Sequence, residues 1–214
     1  MGARAVASHT AAGRVEATRI AVRASKATVA AVPGAAPAAL ASAPFETGAH
    51  RLAGIEVRVQ LDADSDAATF DLVASNPGPH PICLESVVLG LRWKRPRGGS
   101  LRFLRNGWQS WSATGARDLD DAGEPGFPSG PWLRGMHHAL GAPAADRAGW
   151  HESHGVAVAG ESPRGPACLV GVLERGRAFG VLYARREGDD VLLEAEQAVE
   201  ARLEPGETRP LERL

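Results

Sequence analysis

A short polar stretch, RFLRNGWQSWSATG at residues 102–115, holds two of the chain's five tryptophans. An indole face can stack on the apolar face of a sugar ring, while amide and hydroxyl side chains meet the hydroxyl groups of the sugar. Aromatic planes combined with a few placed polar groups are typical of a small-ligand site. We therefore interpret the stretch as a candidate carbohydrate-binding segment. The side chains that suit such a site are Asn106, Trp108, Gln109, Ser110 and Trp111.

The alternative is that the tryptophans fill a hydrophobic core, where large aromatic side chains often lie. Residues three apart in an extended chain face opposite ways, so Trp108 and Trp111 would not both enter one core. The amide and hydroxyl side chains beside them would cost free energy if they were buried without hydrogen-bond partners. The polar surroundings therefore favour the binding interpretation.

The acidic run DADSD at residues 62–66 places carboxylates at alternate positions, as a calcium-binding loop does. An EF-hand loop that starts at Asp62 requires Gly at its sixth position and Glu at its twelfth. This chain has Ala67 and Val73 at those positions. We therefore interpret the run as a polar hairpin loop.

Histidine pairs occur at residues 137–138 and at His151 and His154. A zinc site needs convergent imidazoles and usually a third ligand, but His151 and His154 would point to opposite faces of a strand. We predict no metal site, and we expect no cofactor because no glycine-rich phosphate-binding pattern occurs. No pair of facing carboxylates is marked among the 25 acidic residues, so we predict no catalytic residue in this chain.

The composition excludes some classes of partner. The chain has 214 residues, of which 24 are basic and 25 acidic, and a formal net charge of −1. This balance indicates neither a nucleic-acid nor a membrane partner, and no apolar run reaches the roughly 18 residues of a membrane span. Cys83 and Cys168 belong to no CxxC motif. We expect two buried thiols in a reducing compartment, and hence a cytoplasmic protein.

From residue 45 onward the sequence predicts strands. IEVRVQL at 55–61 alternates apolar and polar side chains, the period of a sheet with one buried face. A single helix candidate is found at 134–146. The pattern predicts an all-β fold, a large β-sandwich of mainly antiparallel strands, over residues 45–214. Further strands, separated by turns that contain Gly or Pro, are predicted at 68–75, 82–93, 101–104, 155–160, 167–173, 178–185 and 190–196. The stretch 82–93 is long enough for one bent strand or for two.

Residues 1–44 differ from the rest of the chain. They contain 17 alanines and one acidic residue, Glu16. No secretion signal is recognisable in them. We expect a disordered start over residues 1–13 and a flexible Ala/Pro stretch at 31–44, so that 1–44 forms a partly flexible segment before the domain.

Two parts of the chain resemble one family. FLRNGWQSWSATG at 103–115 resembles the Asn-Gly-(Trp or Tyr)-Gln-Ser-Trp-Ser segment in the N-terminal domain of α-galactosidases of glycoside hydrolase family 36, the melibiase type. GVLERGRAFGVLYARREGDDVLLEAEQAVEARLEPGETRPLERL at 171–214 resembles the last strands of that domain, where a Phe-Gly strand and a Pro-Gly-Glu turn close the sheet. The resemblance extends over residues 50–214.

The resemblance implies a β-supersandwich packed against a (β/α)8 barrel that carries the two aspartates of a retaining mechanism. It also implies that residues 106 and 108–111 lie at or near the wall of the galactose pocket. Trp108 ranks first as the sugar-facing residue, because it directly follows the Asn-Gly turn, and Trp111 is the packing member of the pair. The expected partners are an α-galactoside and a catalytic barrel domain downstream. Because a barrel needs about 250 residues, we expect the chain alone to be inactive.

Two other functions stay open. One is a free-standing carbohydrate-binding module, and the other is a non-catalytic domain that forms oligomers. The N-terminal domain of the family also helps to build subunit contacts, which implies an exposed apolar surface and allows a homo-oligomer.

Overall fold

The computed structural model describes residues 6–10, 13–26, 39–64, 67–94, 100–106, 114–120, 149–161, 165–173, 176 and 178–214. Every regular element among these residues is a β-strand. In chain order the strands are β1 (Val6–Thr10), β2 (Gly13–Lys26), β3 (Ala39–Pro44), β4 (Gly48–Leu52), β5 (Ile55–Ala63), β6 (Ala68–Ser75), β7 (Ile82–Lys94), β8 (Leu101–Arg105), β9 (Gly115–Asp118), β10 (His151–His154), β11 (Val156–Glu161), β12 (Ala167–Gly171), β13 (Phe179–Glu187), β14 (Asp190–Leu203) and β15 (Thr208–Pro210).

The strands form three sheets, and every pairing between neighbours is antiparallel. The large sheet has seven strands in the order β1-β2-β7-β14-β13-β10, with β3 also paired to β2. The β8 sheet has the order β12-β11-β8-β9, and the β6 sheet has the order β15-β6-β5-β4. The all-β antiparallel fold predicted from the sequence is confirmed.

One hydrophobic core joins the three sheets. It includes Leu89 and Leu193 of the large sheet, Val57 of the β6 sheet and Phe103 of the β8 sheet, each no more than 3% exposed. Full burial of such a side chain stabilises the fold by about 1.5–3 kcal/mol. The smaller sheets thus pack their apolar faces onto the large sheet, which gives a two-layer β-sandwich.

The burial of β5 shows why this sequence forms a strand. Ile55, Val57 and Val59 are buried, whereas Arg58 between them is exposed. Alternate side chains of a strand face opposite sides of its sheet, so the apolar set enters the core as one row. The strands predicted at 55–61 and 68–75 are confirmed as β5 and β6, and 82–93 forms one long strand, β7.

Two predicted turns are also confirmed. The first two residues of the acidic run end β5, which pairs with β6 as a hairpin. At its turn the Asp64 N–H donates to the Ala67 carbonyl at 2.9 Å and the Ala67 N–H donates to Asp64 Oδ1 at 2.8 Å, whereas residues 65 and 66 lie outside the described residues. Between β14 and β15, the Glu207 N–H donates to the Glu204 carbonyl at 3.0 Å. Gly206 within that turn has φ +77°, as the third position of a type II turn requires.

The large sheet begins upstream of residue 45. β2 lies inside it and pairs with β7 on one side and with β1 and β3 on the other. Ile20, Val22 and Ala24 of β2 are no more than 5% exposed. The described parts of residues 1–44 therefore belong to the large sheet. The expectations of a disordered start and of a domain boundary at residue 45 are corrected for these parts. Alanine has a weak strand preference, and its abundance hid the apolar alternation.

Candidate functional site

The tryptophan segment connects two paired strands. Arg105 at the end of β8 pairs with Gly115 at the start of β9. The ends of the segment therefore lie side by side at one end of the β8 sheet. Asn106 is described, whereas Trp108, Gln109, Ser110 and Trp111 lie outside the described residues. Their roles in binding stay predictions.

Asn106 is held by three hydrogen bonds to β10. Its Nδ2 donates to the His154 carbonyl at 2.7 Å, and its backbone N–H donates to Ser153 Oγ at 2.8 Å. In return, the His154 N–H donates to the Asn106 carbonyl at 3.0 Å. Ser153 is fully buried, and its hydroxyl donates onward to the Val156 carbonyl. The structure therefore makes Asn106 an anchor at the start of the segment, and a sugar contact from its side chain stays a prediction.

The anchor sits on a corner where the chain passes from the large sheet to the β8 sheet. Gly155, between β10 and β11, has φ +74°, a conformation that favours glycine. Its N–H donates to the Gly180 carbonyl of β13 at 3.1 Å, and its carbonyl accepts from the Val172 N–H at 2.8 Å. The corner therefore ties the two sheets together at the place where Asn106 is attached.

A histidine and a glutamate lie side by side next to this anchor. His154 Nε2 is 2.9 Å from Glu152 Oε1, and the two side chains are 11% and 17% exposed. The His154 ring also packs against Phe179, with the ring centroids 5.6 Å apart. A carboxylate at this distance orients the imidazole, which is a common general acid–base group. Sequence reasoning treated His154 only as a metal candidate and missed Glu152. Their two-residue spacing within a strand, which places both on one face, was the available signal.

His151 lies on the other face of β10. Its Nε2 is 3.1 Å from the Leu119 carbonyl, and its ring packs against Phe103 with centroids 5.8 Å apart. The expectation that His151 and His154 point apart is confirmed. Within the described ranges, no group of three or more His, Cys, Asp or Glu side chains is arranged to hold a metal ion.

The two cysteines differ in burial. Both are free, and Cys168 is 9% exposed. Burial raises the pKa of the Cys168 thiol to about 12, so the thiol stays neutral and unreactive at physiological pH. Cys83 is only half-buried, because it faces away from the core side of β7 that its neighbour Leu84 occupies. The expectation of two buried thiols therefore holds for Cys168 and is corrected for Cys83.

Of the residues that the structure describes, none forms a helix that is long and apolar enough to cross a membrane. The helix candidate at 134–146 lies outside the described residues.

The sequence matches no protein-family model, and it has no significant match among curated proteins.

Proposed function

We propose that the chain is the N-terminal β domain of a retaining α-galactosidase of the melibiase type, an O-glycosyl hydrolase. In this proposal the domain packs on a catalytic (β/α)8 barrel that supplies the aspartate nucleophile and the aspartate acid/base, and it contributes no catalytic residue itself. Two features support the proposal besides the resemblance of residues 103–115. The antiparallel sandwich agrees with the implied β-supersandwich, and the tail forms β13, β14 and a Pro-Gly turn in the implied order.

The observation that carries the proposal is the attachment of Asn106 to β10. A loop that completes a sugar pocket needs a fixed base, because a misplaced contact loses most of its value in the transition state. Trp108 follows two residues after this base. In the proposal Trp108 stacks on the galactose ring, Gln109 and Ser110 bind sugar hydroxyl groups, and Trp111 packs behind them.

A row of apolar side chains on the outer face of the β8 sheet supports docking of the barrel. Val158 of β11 pairs with Leu169 of β12 on one side and with Leu104 of β8 on the other. Leu169 is 68% exposed and Leu104 is 38% exposed. Adjacent exposed apolar side chains are typical of an interaction surface. In the proposal this apolar row contacts the barrel.

The same row favours a second candidate function, a non-catalytic domain that forms oligomers. In that case a second copy of the chain covers Leu169 and Leu104. Sedimentation of the purified chain tests this candidate. A dimer that Leu169→Lys disrupts would favour it over barrel docking.

We propose an α-galactoside as the small-molecule partner and a cytoplasmic location, which the two free cysteines support. The net charge of −1 gives no support for a nucleic-acid or membrane partner.

An assay with p-nitrophenyl α-galactoside tests whether the chain contributes catalytic groups. We expect no hydrolysis by the purified chain, because the nucleophile and the acid/base belong to the barrel. The carboxylate best placed to contradict this is Glu152, beside His154. Hydrolysis by the chain that Glu152→Gln abolishes would overturn the assignment as an accessory domain.

A further inference from the structure

A groove crosses the outer face of the large sheet, at a place that has no part in the β8–β9 connection. Its volume is about 390 Å³, within the range of small-ligand sites. Gly90 forms part of its floor, and a Cβ there would lie only 2.6 Å from Arg19 Cγ. Because β7 carries no side chain at this position, the Arg19 side chain can lie across the floor of the groove. Its lining comes from β2, β3, β7, β13, β14 and the residue before β10, Trp150.

An aromatic side chain stands in one wall of the groove. Trp150 is half-buried, and the Arg185 Cζ lies 4.7 Å from the centroid of its ring. A guanidinium at this distance is attracted to the indole face and fixes the orientation of the ring. The apolar side chains of Leu192 and Leu40 line the groove as well. This part of the groove therefore combines an aromatic ring with aliphatic side chains.

The floor is polar and already organised. The strands β2 and β14 pair with β7 on its two sides, and Arg19 of β2 forms an ion pair with Glu194 of β14 across Gly90. The Glu194 side chain is only 6% exposed. Arg92 donates to Asp190 Oδ2 at 3.0 Å, and this hydrogen bond raises the pKa of Arg92. The groove thus holds hydrogen-bond donors and a carboxylate acceptor close together.

The charges in and around the groove are balanced. Its three cationic side chains are Arg19, Arg92 and Arg185. Each lies within ion-pair distance of a carboxylate, and among the described residues these carboxylates also number three: Glu187, Asp190 and Glu194. An anionic ligand would meet these carboxylates as well as the guanidinium groups. The balance therefore favours a ligand without net charge.

We propose that this groove binds a neutral saccharide of one or two rings. Sugar hydroxyl groups both donate and accept hydrogen bonds, so they suit a floor of guanidinium donors beside a carboxylate acceptor. Trp150 gives the apolar face of the ring a surface to contact. The inference goes beyond the proposed function and does not depend on it, because the groove shares no residue with the tryptophan segment.

Calorimetric titration of the full chain tests the groove, with D-galactose, D-glucose, melibiose and maltose as neutral probes and with inorganic phosphate and D-glucuronate as anionic probes. We expect saturable binding of at least one neutral sugar, with a Kd on the order of 1 mM. Trp150→Ala and Arg185→Met should each weaken that binding at least about tenfold. Two variants are used so that the test remains possible if one of them does not fold. Circular dichroism checks the fold of both.

Matched controls separate the groove from the tryptophan segment. Arg58→Met removes an exposed arginine of the β6 sheet, and Trp108→Ala removes a tryptophan of the segment. Arg58→Met should keep the affinity of the unaltered chain, whereas Trp108→Ala reports on the separate sugar site proposed in the segment. Absence of saturable sugar binding, binding of the anionic probes alone, or loss of affinity in Trp108→Ala but not in the groove variants would overturn the inference. Loss only in Trp108→Ala would instead support a sugar site in the segment.

Discussion

Asn106 and His154 are joined by two hydrogen bonds that run in opposite directions. The Asn106 side-chain nitrogen donates to the His154 carbonyl at 2.7 Å, and the His154 backbone N–H donates to the Asn106 carbonyl at 3.0 Å. The two residues are 48 positions apart in the chain. Their contact attaches the end of β8 to the corner between two sheets and fixes where the tryptophan segment begins.

Replacing the donating nitrogen of Asn106 should loosen this attachment. In Asn106→Asp an oxygen faces the His154 carbonyl, so a hydrogen bond is lost and two acceptors oppose each other. We expect a loss of about 1–3 kcal/mol in the free energy of unfolding, measured by urea denaturation. Gln60→Glu makes the same chemical change at an exposed position of β5 and should cost little. Equal effects of the two variants would contradict the role of Asn106 as an anchor.

Gly155 should not tolerate a side chain. Its φ of +74° lies in the left-handed region, where an L-residue such as alanine costs about 1–2 kcal/mol. Gly155→Ala should lower the free energy of unfolding by about that amount. Gly115 of β9 is the control, because a Cβ there meets nothing within 4 Å and its φ is not positive. Equal destabilisation of Gly115→Ala and Gly155→Ala would contradict the claim that the positive φ of Gly155 disfavours a side chain.

Glu212 should be essential for the C-terminal end of the fold. Its side chain is fully buried, and Oε1 accepts from the Gly176 and Ala178 N–H groups, each at 2.9 Å. Truncation leaves both donors unsatisfied, so Glu212→Ala should destabilise the chain by about 2–3 kcal/mol in thermal or urea unfolding. Glu46→Ala, at an exposed position, should change stability by less than about 0.5 kcal/mol. A small effect of Glu212→Ala would mean that these donors find other partners.

Cys168 should make the fold sensitive to alkaline pH. Burial raises its folded pKa to about 12 from the ordinary 9.0. The stabilisation from its neutral thiol is therefore complete below pH 9 and declines as the pH rises toward 12, by about 1.4 kcal/mol per pH unit. Urea unfolding at pH 8 and pH 10.5 should show a steeper decline for the unaltered chain than for Cys168→Ala. Parallel declines would contradict the burial of this thiol.

The sequence was informative where side chains alternate along one strand. β5 was predicted because every second residue of IEVRVQL is apolar, and β6 was predicted as the strand that follows the polar run after it. β2 was missed because alanines occur on both of its faces, so its apolar and polar residues do not alternate clearly. Ala17 is buried in the core, and Ala21 is buried although it lies outside the core cluster. Because alanine has a weak strand preference, such a stretch gives little evidence for a strand.

The candidate sites depend on contacts that local patterns do not encode. Asn106 was selected for its side chain, but its attachment to β10 depends on long-range strand pairing. The groove around Trp150 depends on pairings that bring Arg185, Leu192 and Arg92 into one row across three strands. Such pairings follow from the packing of the whole sheet, so no spacing in the sequence predicts them.

The activity of the complete reading frame that contains residues 1–214 tests the central claim most directly. The product of that frame should hydrolyse p-nitrophenyl α-galactoside with retention of configuration. Its Trp108→Ala variant should lose at least about tenfold in kcat/KM, because a contact to the galactose ring is removed, while Leu169→Ala, on the outer face of the β8 sheet, should retain more activity. A complete product without α-galactosidase activity, or one whose activity is unchanged by Trp108→Ala, would contradict the account.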